Sequence, residues 1–320
     1  MKIDDVTLGP IAAMSDPRSS SKPAVVLFGE ALADMFPHLR VWGGAPLNVA
    51  SHLHAFGEQS ILITCLGLDP LGDDLFQFIT DSGMQTSGIQ RTDRYPTGRV
   101  EIDYIEGTHR FTILPDQAYD HIDGEIARSV LRSSSPALMY FGSLAQRNAE
   151  SRNTLLSLLE DGDAVKFFDI NLRTPWYEKG ILEHSLRNTD ILKLNSDELD
   201  LVAEMFGLPE RQVEGRLEAL VNNYQLSHII LTRGEEGSWL MSGDGRLYEI
   251  GMPTVSGAVV DTVGAGDAFS AVIILGIMRG WPLRQSLEKA NAFAAAICSI
   301  RGALPVDRRF YQQNRKTWTD

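Results

Sequence analysis

Cysteine is scarce: the 320 residues hold two, Cys65 and Cys298, far apart and without a CxxC or Cys/His spacing. A disulfide framework and a structural zinc site are thereby not expected, and each thiol is expected as a small buried apolar group. A reducing, cytoplasmic compartment is the default expectation. Positive charge is also in deficit, with 29 Lys and Arg against 42 Asp and Glu and a formal charge of −13. A nucleic-acid scaffold would show a basic face, so nucleic acid is not an expected partner. The longest charge-free apolar run, Ala268 to Met278, is too short to span a bilayer, and no membrane partner is expected. No GxxxxGK[ST] occurs, which removes the P-loop. No G-x-G-x-x-G follows the first β-like run, where Phe28-Gly29-Glu30-Ala31-Leu32-Ala33 stands, which disfavours a dinucleotide-type dehydrogenase. The seven histidines form no metal spacing, and all are expected to be structural or surface residues.

What is present is an alternation. Residues 1–22 mix Asp, Ser, Pro and Gly without period and are expected as a flexible extension; Asp4 and Asp5 stand where a signal peptide would be basic. From Ala24 onward, apolar β-like runs at Val25–Phe28, Ile61–Ile63, Ala137–Tyr140, Val165–Phe168, Ile191–Leu192 and His228–Leu231 are separated by stretches that include helical ones such as Leu71–Asp81, Ser151–Leu159 and Val213–Tyr224. That rhythm predicts an α/β domain over 23–320, built of crossover units around a mostly parallel sheet. Gly98 to Leu114 breaks it with two alternating strands around Glu106-Gly107-Thr108, a hairpin pattern, and Asp34 to Val41 is too short for a crossover helix. Together, segments at about 34–43 and 97–114 predict a small antiparallel β lid outside the main sheet. Pro282 opens a long helix with Leu283, Leu287, Ala290, Ala294 and Ile297 as its buried stripe and Gly302 as its stop, and the polar tail from Phe310 is expected to fray.

The chemistry concentrates at Asp261-Thr262-Val263-Gly264-Ala265-Gly266-Asp267, directly before the apolar helical run. Glycines at 264 and 266 allow a tight turn and close approach of a ligand to the backbone. First-turn amides of the following helix, from Gly264, Ala265, Gly266 and Asp267, would form an anion site. An acid inside an anion site needs a reason, and Asp267 has one as the base that takes a proton from a hydroxyl attacking a phosphoryl group.

The seven-residue string resembles the second signature of the ribokinase/fructokinase (phosphofructokinase B-type) family of sugar kinases. A partner signature, Gly43-Gly44-Ala45-Pro46-Leu47-Asn48-Val49-Ala50, resembles the GGAPxNVA version of fructokinase-like members rather than the GGKGxNQA of ribokinases proper. The resemblance implies a doubly wound sheet with helices on both faces. It also implies ATP-dependent phosphorylation of a primary hydroxyl of a monosaccharide, fructose first. It places sugar against Asp34, Gly43, Gly44 and Asn48. Asp169-Ile170-Asn171-Leu172-Arg173-Thr174-Pro175-Trp176 resembles the D-x-N-x-R…W segment of fructokinases and 2-keto-3-deoxygluconate kinases, so Arg173 would pair with phosphate or an acidic substrate; a surface salt bridge is its competing role. Asn195 and Glu198 match the family's magnesium motif, acting through water, while helix capping competes for the same pair. Thr232, Gly234 and Gly237 match the nucleotide loop, although a plain hairpin turn would use the same glycines, and Asn291 would line the adenine pocket. Backbone oxygens of Asp261 and Val263 would suit a monovalent cation such as potassium. Lid pairing in such enzymes allows a homodimer. Leu114-Pro115-Asp116-Gln117 departs from the arginine-bearing segment of many fructokinases, which keeps an acidic 3-deoxy sugar, a nucleoside and a catalytically silent sugar-binding regulator open as alternatives.

Overall fold

The computed structural model describes residues 23–105, 108–208, 211–253, 259–316 and 318. The expected extension at 1–22 and the Glu106-Gly107 turn lie outside the described residues. In chain order the strands are β1 (Ala24–Phe28), β2 (Leu32–Phe36), β3 (Leu39–Gly43), β4 (Gln59–Gly67), β5 (Ile89–Thr92), β6 (Gly98–Ile105), β7 (Thr108–Ile113), β8 (Leu138–Phe141), β9 (Val165–Asp169), β10 (Ile191–Asn195), β11 (His228–Thr232), β12 (Ser238–Ser242) and β13 (Leu247–Ile250). Nine of them form one sheet in the order β13-β12-β11-β10-β9-β8-β1-β4-β5. Pairing is parallel from β11 through β5 and antiparallel at the β11-β12-β13 edge. The all-apolar β1 and β8 are buried along their whole length, as strands covered on both faces must be.

Helices α1 (Ala45–Ala55) and α2 (Pro70–Asp81) cover one face, and α3 (Gly124–Ser134), α4 (Ala149–Leu159), α5 (Lys179–Arg187), α6 (Ser196–Phe206) and α7 (Val213–Tyr224) the other. The chain then returns to the first face with α8 (Ala265–Arg279), α9 (Leu283–Ile297) and α10 (Arg309–Lys316). The expected doubly wound architecture is therefore present. Strand order reverses at β1, since the chain runs outward to β4 and β5 and then back through β8, which puts a crevice at the carboxyl end of β1. The apolar run that suggested a core helix is α8, buried from Ala268 to Ile277, and no helix among the described residues is long and apolar enough to cross a membrane.

Three local expectations need correction. The lid is a four-stranded sheet, β3-β2-β6-β7, but β2 and β6 run parallel, with Leu32 opposite Gly98. The cause lies in the main sheet: β2 continues from β1 and β6 follows β5, and those strands point the same way. The last long helix ends at Ile297, with Cys298 as its cap, five residues' reach short of Gly302. Over its described residues the tail does not fray: α10 forms, Tyr311 is buried, and Phe56 packs edge-on against Tyr311 and tilted against Trp318 at ring separations of 5.3 and 4.7 Å.

Candidate active site

Two helix N-termini meet over the carboxyl edge of the sheet. At the first, Gly264 caps α8 with φ of 78°, and a Cβ there would fall 2.2 Å from Cβ of Ala303. Only glycine fits that backbone and that space. At the second, Gly44 caps α1 with φ of 105°, and a Cβ there would fall 2.5 Å from the Glu30 carbonyl oxygen. Between them, Asn48 Nδ2 in the first turn of α1 donates to Asp267 Oδ2 in the first turn of α8 at 2.8 Å. One N–H of Asn48 Nδ2 is thereby committed to Asp267, which leaves its second N–H and its Oδ1, buried and unbonded among the described residues, for a polyol. Burial raises the Asp267 carboxyl above the ordinary range, with the Asn48 bond opposing and the nearby Asp169 charge adding. A carboxylate so raised is a stronger base, which suits proton abstraction near neutral pH.

The turn before Asp267 presents the amides of Gly264, Gly266 and Asp267 without hydrogen-bond partners among the described residues. The Ala265 amide departs from expectation: the tight bend at Gly264 turns it back onto the Thr262 carbonyl at 3.3 Å. Asp261 pins the loop, its Oδ1 accepting from the Val263 amide at 3.1 Å and its Oδ2 from the Gly302 amide at 3.0 Å. Its side chain is thus committed, and only backbone oxygens of 261 and 263 remain for the expected cation.

Asp34 on β2 is half-buried, its pKa pushed up to about 6 by burial against the opposing field of Arg173. A Cβ at Gly43 would lie 3.0 Å from Asp34 Oδ2, so the glycine is what lets the carboxylate lie across β3. Arg173 is exposed, donates Nη1 to the Leu172 carbonyl at 3.1 Å, and forms no ion pair among the described residues. Its field reaches Glu30, Asp34 and Asp267.

Three site residues were given no role by the sequence analysis, although Asp169 opens the D-x-N-x-R segment. Glu30, at the crevice beyond β1, is 3% exposed; its Oε1 accepts from the Ala45 amide at 3.3 Å, standing in for the side-chain cap that Gly44 lacks. Burial pushes its pKa up to about 7, the Asp267 charge adding and Arg173 opposing. Asp169, fully buried at the end of β9, accepts from Lys193 Nζ at 2.9 Å, from Ser270 Oγ at 2.7 Å and from Tyr140 at 3.2 Å. Lys193 on β10 lies under the glycine turn, 3.1 Å from where a Cβ on Gly266 would be. A lysine inside the apolar run Ile191–Leu194 was the available signal, because a charge in a doubly covered strand has to be paired.

A protonation test follows for Glu30. A carboxyl raised in the folded state stabilises the protein below its ordinary pKa, and that contribution is lost as pH rises through the folded value, here about 7. Melting of Glu30→Gln, followed by scanning fluorimetry, is expected to vary less than the wild type between pH 5.5 and 8.5 and to exceed it at the alkaline end. Equal pH slopes would contradict the assignment.

Asn195 and Glu198 form a reciprocal capping box at the start of α6: Asn195 Oδ1 accepts from the Glu198 amide, and Glu198 Oε2 from the Asn195 amide, both at 2.9 Å. Glu198 Oε1 accepts from the Leu172 amide at 2.9 Å. Every carboxylate oxygen is thus already in use, and among the described residues no group of three His, Cys, Asp or Glu side chains could hold a metal. These residues fit hydrated magnesium carried in on nucleotide phosphates, through their second lone pairs, and do not fit a protein-built cage. Asn195 and Thr232 lie side by side at the ends of β10 and β11. Gly234 and Gly237 serve the hairpin turn between β11 and β12, with φ of 55° and 93°, and a Cβ on Gly237 would fall 2.1 Å from the Ile250 carbonyl oxygen. Asn291 is buried, and its Nδ2 donates to the Ile250 carbonyl at 3.2 Å. Its amide nitrogen therefore ties down the end of β13.

The profile of the pfkB family carbohydrate kinases matches residues 39–307. An uncharacterized sugar kinase of Pyrococcus horikoshii is 28% identical over 278 residues, 83% of this chain and 84% of its own. Its structure in complex with ATP aligns with a TM-score of 0.73 at 25% identity, over 87% of this chain and 93% of that one. An ATP-dependent 6-phosphofructokinase of Thermoanaerobacterium thermosaccharolyticum is 26% identical over 88% of this chain and 89% of its own. A fructokinase of Xylella fastidiosa, solved with bound ATP, shares the fold with a TM-score of 0.77 at 23% identity, over 91% of this chain and 95% of that one.

Proposed function

The chain belongs to the pfkB family of carbohydrate kinases, and from that premise we propose that it transfers the γ-phosphoryl group of ATP to a primary hydroxyl of a neutral ketose, fructose first. The Asn48–Asp267 bond carries the reading, because it joins the sugar-side glycine helix to the phosphate-side one at 2.8 Å. With Oδ2 held by Asn48, Oδ1 of Asp267 is the oxygen that takes the hydroxyl proton. The alkoxide oxygen then bonds to the γ-phosphorus as the bridge to ADP breaks. Amides of Gly264, Gly266 and Asp267 hold the charge on the transferring group, with Lys193 behind them. Asp34 accepts from two adjacent sugar hydroxyls, and Gly43 and Gly44 let the sugar approach the backbone. Asn195 and Glu198 would hold the waters of a magnesium ion carried by the nucleotide, which would add neutralisation of the phosphates.

Charge argues for a neutral acceptor. Carboxyls of Glu30, Asp34 and Asp267 share the field of Arg173. The other arginine whose field reaches Glu30, Arg147, is committed: its Nε and Nη2 bind both oxygens of Asp120 at 2.8 and 2.7 Å, and its guanidinium stacks on Trp176. An acidic sugar or sugar phosphate would have to draw Arg173 away from three carboxyls. The discriminating measurement is sugar-dependent ADP release over fructose, ribose, 2-keto-3-deoxygluconate, fructose 6-phosphate and nucleosides, with and without potassium. Fructose is expected to give the highest kcat/KM. A tenfold preference for an acidic or phosphorylated sugar overturns the neutral assignment, and sugar binding without ADP release by any of them establishes the silent-regulator alternative.

A further inference from the structure

Beside β2, the lid joins the main sheet at an entry and an exit, and each is tied to a loop at the carboxyl edge. Entry is at Thr97, directly before β6. Its amide donates to Asp69 Oδ2 at 2.7 Å, its Oγ1 donates to Asp69 Oδ1 at 2.8 Å, and the same hydroxyl accepts from the Gly67 amide at 2.9 Å. Asp69 also caps α2, accepting from the Gly72 amide at 2.7 Å, so Thr97 is fastened to the helix end that follows β4. Gly98, the next residue, lies flat on Tyr119: a Cβ there would come 2.7 Å from the ring and 3.0 Å from the Ala31 carbonyl oxygen.

Exit is at Leu114, directly after β7, where the carbonyl accepts from Arg147 Nη2 at 2.7 Å. Arg147 ends the 3₁₀ turn Leu144–Arg147 that follows β8, and its side chain is 5% exposed. The same guanidinium grips buried Asp120 through Nε and Nη2 and lies over the rings of Tyr119 and Trp176 at 5.1 and 4.4 Å. One side chain thus joins the lid, the turn Ala118–Asp120 and the loop after β9. A buried ion pair adds little net stability over an apolar contact of the same shape, and here Nη1 is buried with no hydrogen bond among the described residues. Stability alone does not account for this guanidinium; what it supplies is a fixed geometry. Entry and exit are also tied to each other, the Ala118 amide donating to the Pro96 carbonyl at 2.8 Å.

In the sheet β4 and β8 flank β1, and β2 continues from β1, so the lid hangs over the crevice from three adjacent strands. Asp34 on β2 is paired with Val100 on β6, two residues beyond the Leu32–Gly98 pair, so the footing of β6 decides where the Asp34 carboxylate stands. We propose that Thr97 and Arg147 are positioning residues for the acceptor, clamping the entry and the exit of the lid so that Asp34 is held ready over the crevice. The proposal rests on the reading of Asp34 as the sugar-binding carboxylate. Releasing either clamp lets the lid adopt placements that cannot bind sugar. Apparent sugar affinity then falls by the fraction of molecules still competent, while the step that follows closure is unchanged. The phosphate-binding turn is held separately, by Asp261.

The test uses two full-length variants. Thr97→Val keeps the shape and the backbone bond to Asp69 and removes the hydroxyl. Arg147→Lys keeps a cation for Asp120 but lacks the planar fork that reaches Leu114 at the same time. Sugar KM and kcat are measured by ADP release with fructose, or with whichever sugar the wild type accepts, and magnesium-ADP affinity by calorimetry. Each variant is expected to raise sugar KM by roughly fivefold or more, with kcat within about threefold and ADP affinity within about twofold of wild type. A smaller rise in sugar KM in either variant overturns the proposal even if the melting temperature falls, because lost stability with intact sugar binding is what a purely structural bond would give. Equal losses of sugar and ADP binding overturn it as well, since they would report a general loosening. Should one variant fail to fold, the other decides. Asp34→Ala is run alongside: an unchanged sugar KM there refutes the reading of Asp34 and the proposal with it, whereas failure of the clamp variants alone leaves that reading standing.

Discussion

Replacing Asp267 by asparagine is expected to lower kcat on the order of 10²-fold or more while leaving sugar KM close to its starting value. The exchange is isosteric, and the new amide can turn its oxygen toward Asn48 Nδ2, so the 2.8 Å contact between the two helices survives. What disappears is the second carboxylate oxygen, the one left to take a proton. Stability moves the other way. The protein raises the Asp267 carboxyl chiefly by burial and through the Asp169 charge, so its ionised form is held at a cost that a neutral amide does not incur. Melting temperature of Asp267→Asn should therefore equal or exceed that of the wild type. Near-normal turnover would remove the base assignment. Lost turnover accompanied by a lower melting temperature would mean that the carboxylate is a structural group.

The parts of this site that were legible in the sequence are those imposed by the backbone. Gly264 and Gly44 sit at helix caps with positive φ and no room for a side chain, constraints that act within a few residues and leave glycines in a readable pattern. The alternation of buried strands and crossover helices is likewise local. Glu30, Asp169 and Lys193 were not legible, because their roles depend on partners brought together by the fold: Lys193 reaches Asp169 from a neighbouring strand, and Glu30 reaches the amide of Ala45 across the crevice. The bond from Asn291 to the Ile250 carbonyl was not legible for the same reason, since the two lie 41 residues apart. Asn195 and Glu198 were ambiguous in sequence because a capping box and a water-mediated metal motif use the same side chains at the same spacing. The polar tail read as frayed because Tyr311 and Trp318 find their cover on α1 and α9, far away in the chain.

The buried pair under the turn supports a second large expectation. Burial opposes the charge on Lys193, yet Asp169 and Glu198 outweigh it and hold the ammonium pKa above its ordinary value. A raised lysine contributes stability below its ordinary pKa and loses it only as pH rises through the folded value, so the pair is intact throughout the neutral range. Lys193→Met leaves Asp169 buried with Ser270 and Tyr140 as its remaining donors. Breaking such a pair from one side costs about 3–5 kcal/mol, which for a domain of this size lowers the melting temperature by on the order of 10 °C. Turnover should fall by roughly 10²–10³-fold, because the positive charge behind Gly266 is removed from the transferring phosphoryl group. The double variant Lys193→Met, Asp169→Asn separates the two effects. With both charges gone the core no longer holds an uncompensated carboxylate, and most of the lost melting temperature should return while kcat stays low. Recovery of both would make the ammonium a purely structural counter-ion, whereas recovery of stability alone assigns it to the electrostatics of phosphoryl transfer.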